Sequence, residues 1–141
     1  RDPAMWEHFH HEADIGIRGR GATLESAFEQ GAMGLTAVIT NPDSVKPGQQ
    51  IRIRCSAPDL ELLFADWLNA LIFEMSTRRM LFSRFEVEIR GNELFAAAWG
   101  EPIDRERHQP VVEVKGATYT ELSIGQVDGG RSWQAQAVVD V

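Results

Sequence analysis

The sequence predicts a single α+β domain, and three observations predict it. Two stretches carry apolar residues at helical spacing, several shorter ones alternate apolar with polar residues, and Gly- or Asn-bearing turns join the alternating stretches as hairpins. No strand–helix–strand alternation is visible, so the expected architecture is two helices packed on an antiparallel or mixed β-sheet with hairpin connections. At 141 residues the chain can bury one real core and is too short for two. The domain is expected over residues 5–141. Residues 1–4 read as a scar ahead of a native start at Met5.

In chain order, a short strand is expected over Ile15–Arg18. The first helix follows over Thr23–Ile39, with Leu24, Ala27, Phe28, Gly31, Leu35, Val38 and Ile39 on one stripe. Thr23 suits its N-cap, Asn41-Pro42 stops it, and Gly31 and Gly34 weaken it, which predicts a close neighbour there. Ile51, Ile53 and Cys55 then alternate with Arg52 and Arg54 as a strand. The second helix is expected over Pro58–Thr77, with Pro58 in its first position, Asp59 and Glu61 in its first turn and Arg78 and Arg79 near its end. Phe85, Val87 and Ile89 alternate with acids, and Gly91-Asn92 turns the chain into Leu94, Ala96 and Ala98. Further strands are expected over Val111–Lys115, Tyr119–Val127 and Ser132–Val139, the last two joined through Asp128-Gly129-Gly130.

Composition narrows the function. Fourteen basic residues face twenty-one acidic ones, a net charge of −7. Binding a phosphate backbone needs clustered Lys and Arg, so no strong direct nucleic-acid binding is expected. An acidic chain sooner docks on a basic protein surface or binds cations. No apolar run is long enough for a membrane helix, and the start lacks the apolar stretch of a signal peptide. Cys55 is the sole cysteine, so no internal disulfide forms, and a cytoplasmic location is expected. Its alternation with Ile51 and Ile53 makes it a buried structural thiol rather than a reactive one.

The densest polar cluster is His8, His10, His11, Glu12 and Asp14. Zinc would want four nitrogen or sulfur ligands, which the lone Cys55 and the distant His108 do not complete. Asp14 stands before Ile15 and Ile17, where a short acid often caps a turn. Asp140 follows an apolar run beside Val141, whose α-carboxylate, if the chain ends there, completes a hard oxygen pair suited to Ca²⁺, Mg²⁺ or Mn²⁺. A solvated, frayed end is the alternative reading. The polar stretch Gly100–His108 reads as a connecting loop, and Lys115 and Thr118 flank Gly116-Ala117 at a strand end. Phosphate-binding loops, nucleophile elbows, CxxC pairs and HExxH helices are absent.

These scattered signals fall in a known order. His11-Glu12-Ala13-Asp14-Ile15-Gly16 resembles the opening motif of archeases, and Leu24, Ala27, Phe28 and Glu29 resemble the helix after it. Phe64-Ala65-Asp66-Trp67-Leu68-Asn69-Ala70-Leu71 is similar to the family's "WLNELL" helix. Gly100-Glu101-Pro102-Ile103-Asp104 with His108 is similar to its "GEPxD…H" loop. Val114-Lys115-Gly116-Ala117-Thr118-Tyr119 resembles "VKAxTY" with Gly116 in place of alanine, and Val138-Val139-Asp140-Val141 resembles the terminal Asp-aliphatic pair. The resemblance runs from Trp6 to Val141.

The resemblance implies a non-catalytic accessory protein. Archeases promote guanylylation and multiple turnover of the RtcB-type RNA ligase, which joins 2′,3′-cyclic or 3′-phosphate ends to 5′-hydroxyl ends in tRNA splicing and RNA repair. It implies a divalent-metal site, calcium by preference, whose ligands carry over to Asp14, Asp140 and the Val141 carboxylate. His11, Glu101, His108 and Lys115 become secondary candidates for the working surface. The other expectations are a chaperone-like modulator of a tRNA methyltransferase, a metal-dependent hydrolase using the same carboxylates, and a structural domain with a stabilising ion.

Overall fold

A computed structural model describes residues 4–141, so residues 1–3 of the expected scar lie outside the described residues. Two antiparallel sheets share one core with two long helices. The first sheet takes β1 (Met5–His11), β2 (Asp14–Gly21), β8 (Ser132–Asp140) and β6 (Gly116–Ala117) in that order, and β7 (Ser123–Val127) also pairs with β8. The second sheet takes β3 (Gln49–Ser56), β5 (Glu93–Pro102) and β4 (Met80–Arg90). Every strand pair is antiparallel, which narrows the expected "antiparallel or mixed" sheet to the first.

Helix α1 (Leu24–Ile39) starts where the sequence places it, because the Thr23 hydroxyl accepts from the Ser26 amide. It packs on β1, β2 and β8 and also on β4. Gly31 is where three elements meet. A Cβ there would lie 2.6 Å from the Phe64 ring of α2, and a Cβ on Gly19 of β2 would strike the α1 backbone at Gly31. The helix-weakening glycine is therefore a packing requirement, as its position predicts.

Helix α2 (Leu60–Arg78) begins later than expected: Asp59 is its N-cap, accepting from the Leu62 amide, and Pro58 precedes the cap. Its Trp67 is fully buried and donates Nε1–H to the Phe28 carbonyl at 3.0 Å, tying the helices together. Thr36 of α1 donates to the Phe82 carbonyl at 2.6 Å, tying α1 to β4. Glu29 of α1 accepts from the Val87 amide at 2.8 Å, so a side chain covers part of the outer edge of β4. Burial pushes the Glu29 pKa above the ordinary carboxylate value.

Three strand expectations need correction. β1 runs over Met5–His11 and was not expected as a strand, and β2 is longer than Ile15–Arg18. Tyr119–Val127 is a strand only over Ser123–Val127. Val111–Lys115 is not a strand. The reason lies on β8: its edge away from β2 pairs with β7 over Ser132–Gln136 and with β6 over Val139–Asp140, leaving no length free for another partner. In the polar stretch Gly100–His108, β5 reaches Pro102 and a four-residue helix, α3 (Arg105–His108), follows.

Candidate functional site at the acidic strand ends

β1 turns into β2 through Glu12 and Ala13, with Glu12 in the left-handed region (φ 53°), which pairs His11 with Asp14. Two strands over, Ile15 pairs with Val139. That register sets Asp14 and Asp140 side by side on neighbouring strands, on the sheet face away from Ile15 and Ile17. Asp14 is half-buried and Asp140 exposed. Neither carboxylate takes a hydrogen bond or ion pair among the described residues. On the other side of Asp140, Gly116 is its strand partner and the Lys115 amide donates to the Asp140 carbonyl at 2.8 Å. Val141 packs its side chain against the core. The structure thus brings Asp14, Asp140, Val141, His11 and Lys115 to one end of the first sheet.

Asn69 was not singled out as a site residue, yet it helps hold this end in place. Its Oδ1 accepts from the Ala117 amide at 2.8 Å and its Nδ2 points to the Ala117 carbonyl at 3.4 Å. The amide side chain thereby stands in for a strand partner of the short β6. Its signal in the sequence is one polar residue between Leu68 and Leu71 on an apolar helix face.

Glu101 and His108 form a second cluster. His108 is 3% exposed. Its Nδ1 accepts from the Asp104 amide at 2.9 Å, so Nε2 carries the hydrogen and donates to Glu101 at 2.9 Å. Glu101 also takes a two-pronged pair from Arg107 at 2.7 and 2.9 Å and the Lys46 amide at 2.8 Å. The Arg107 guanidinium, with help from the Lys46 amide and His108, holds the Glu101 carboxyl at about 2. Thr40 donates to the His108 carbonyl at 2.5 Å. The cluster ties the end of α1 to the α3 segment, with His108 buried within it and Glu101 half-buried. Arg107, the partner that holds it together, was missed although it stands in the charged run Asp104–His108.

Among the described residues, no group of three or more His, Cys, Asp and Glu side chains stands close enough to hold a metal. His8 donates Nε2–H to the Gly34 carbonyl at 2.8 Å, which occupies that nitrogen and argues against a zinc ligand. What the strand ends offer a cation is two unpartnered carboxylates and, where Val141 ends the chain, its α-carboxylate. These are hard oxygen donors that fit Ca²⁺, Mg²⁺ or Mn²⁺ and do not fit zinc. Burial pushes the Cys55 thiol up to about 11, in line with an unreactive thiol. Among the described residues, no helix is long and apolar enough to cross a membrane.

Comparison with known proteins finds relatives along nearly the whole chain. The sequence model of the Archease protein family matches residues 6–141. The archease of Pyrococcus abyssi is 41% identical over 140 residues, spanning 96% of this chain and 98% of that protein. The archease of Methanosarcina mazei is 35% identical over 141 residues, covering 96% and 95%. The solution structure of protein 1598 of Methanobacterium thermoautotrophicum superposes with a TM-score of 0.83 at 33% identity, covering 96% and 98%. A crystal structure from Thermotoga maritima, described as an archease and possible chaperone, shares the fold at a TM-score of 0.60 and 19% identity, covering 96% of each chain. The coverage is end to end, the fold is the same, and the motifs lie on the elements that build the acidic strand ends: this chain belongs to the archease family.

Proposed function

We propose that this chain is a cytoplasmic accessory protein, not an enzyme in its own right, that activates an RtcB-type RNA ligase. The reading rests on one observation above the others: two unpartnered carboxylates, Asp14 and Asp140, stand side by side at the end of a rigid sheet. They and the Val141 carboxylate are the groups that would hold a divalent cation, Ca²⁺ first, with Mg²⁺ and Mn²⁺ as the other hard ions. Such a cation would supply Lewis acidity where the ligase accepts guanylate. The chain's own contribution is to present the carboxylates on a fixed scaffold, braced by Asn69 and by the Lys115 amide.

Direct RNA binding is disfavoured. Three arginines on the outer face of the second sheet are engaged by rings and acids: Arg84 lies 4.4 Å above Trp99 and bonds Glu86, and Arg90 and Arg54 lie about 5 Å above Phe95 and pair with Glu88 and Glu93. For a hydrolase reading, Glu101 and His108 are taken up by their own bonds, which leaves His11 and Lys115 as the polar groups beside the carboxylates. The other binding role that the family resemblance implies is modulation of a tRNA methyltransferase. Pull-down against purified ligase and methyltransferase separates the two.

The test is ligase guanylylation and multiple-turnover joining with substoichiometric amounts of this protein. Clear stimulation is expected, with Asp140→Ala binding the ligase yet losing stimulation. Undiminished stimulation by Asp140→Ala would remove the carboxylates from the mechanism. A chain carrying a C-terminal amide should bind the cation more weakly, since one anionic donor is gone. Equal affinity would exclude Val141 as a ligand.

A further inference from the structure

A groove of about 810 Å³ runs beside the acidic strand ends, between the second half of α2 and the segment 110–115. Its rim carries two of the most exposed apolar side chains in the protein, Phe73 (61%) and Val111 (75%). Residues 111–115, Val-Val-Glu-Val-Lys, have the composition and alternation of a strand. Yet Val112, Glu113 and Val114 make no hydrogen bond among the described residues. Its backbone is tied at the two ends, by the Val111 amide on the Ile39 carbonyl at 2.9 Å and the Lys115 amide on the Asp140 carbonyl at 2.8 Å, while the Val112 and Val114 side chains pack towards the core. A strand-forming sequence with unmet backbone donors and acceptors beside exposed apolar side chains is a template for strand addition.

The charges say what kind of segment fits. Lys115 and Arg105 both line the groove, and neither makes an ion pair in the described chain. They stand out in a protein whose net charge is −7. Only Glu113 among the lining residues opposes them.

We propose that this groove captures an extended segment of the partner protein, which adds as a strand along Val112–Val114. Alternate apolar side chains of that segment rest against Phe73 and Val111, and an acidic residue meets Lys115 or Arg105. Lys115 belongs both to the groove and to the strand end that carries Asp140, so the captured segment aligns the carboxylates with the partner. Docking and activation thereby use adjoining but separate surfaces. This inference rests on the proposed ligase partnership.

The experiment uses the full chain and the RtcB-type ligase. Phe73 and Val111 are exposed, so the double variant Phe73→Lys/Val111→Lys should keep the wild-type melting midpoint. It is expected to weaken ligase binding at least about tenfold, with stimulation recovered at saturating concentration. Asp140→Ala should do the reverse, binding normally without stimulating. Hydrogen exchange of the Val112, Glu113 and Val114 amides should slow in the wild-type complex. If wild-type protein binds and the double variant binds equally well, or those amides stay unprotected, the groove inference fails while the ligase reading stands. If the wild-type protein binds no ligase, the proposed function itself fails, and this inference with it. If the wild-type protein self-associates and the double variant is monomeric, the occupant is a second copy of this chain and the proposal is overturned.

Discussion

Glu101 accepts from Arg107 twice, from the Lys46 amide and from His108, and its pKa falls from the ordinary 4.5 to about 2. The folded value lies below the unfolded one, so its stabilisation is complete above about pH 4.5 and is lost as pH falls towards 2. Glu101→Gln should be less stable at pH 7, by about 1–3 kcal/mol for a charge-assisted network. The melting curves of wild type and variant should converge as pH drops through that window. Asp140 is the opposite case, an exposed acid whose carboxylate has no partner among the described residues. Asp140→Ala should change metal-free stability by less than about 0.5 kcal/mol while abolishing any stabilisation by Ca²⁺ in a melting assay. The sequence alone left Asp14 as a turn cap and Asp140 as a frayed end. Nothing local shows that residues 14 and 140 meet, because pairing register is a tertiary fact. Only the resemblance joined them, and the register of β2 on β8 places them side by side. His108 misled for the matching reason: a histidine in a polar loop gives no sign of burial until the Thr40 and Asp104 contacts close over it.

At the scale of the element, both helices and the β4–β5 hairpin were legible because each follows from a local rule, a cap, a stripe or a turn. β1 was not, since Trp6, His8 and His10 on one face and Glu7, Phe9 and His11 on the other give no clean alternation. Val111–Lys115 erred the other way: it has the alternation, but β8 has no room for it. β6 is two residues long and owes much of its position to Asn69. Asn69→Ala should cost about 1–2 kcal/mol through the unmet Ala117 amide. It should also weaken divalent-ion affinity by about tenfold, as loss of an outer support does. Calorimetric titration with Ca²⁺ measures the second effect, and unchanged affinity would show that β6 holds the Asp140 end unaided. Gly31→Ala drives a methyl group into Phe64 and should destabilise by about 1–3 kcal/mol.

Across the whole molecule one hydrophobic cluster spans both sheets and both helices, so a single cooperative unfolding transition is expected. Ca²⁺ at about a hundred times its dissociation constant should raise stability by about 2.7 kcal/mol, and a chelator should reverse it. The net charge of −7 should steer the protein to a basic partner surface. Association with the ligase should therefore slow by about tenfold as salt rises from low to physiological strength, with dissociation less affected. Stopped-flow mixing at several salt concentrations distinguishes this from a salt-independent, purely apolar encounter.

The pairing of β2 with β8 also governs the protein's history on the ribosome. β2 is made early, yet its neighbour spans Ser132–Asp140, so the central ladder of the first sheet cannot close until β8 has been translated. Contacts of such long sequence separation form late and slowly. A nascent chain arrested before Ser132 would expose one side of β2 and carry half of its carboxylate pair. The proposed cation site would therefore be incomplete in any product that stops short of β8.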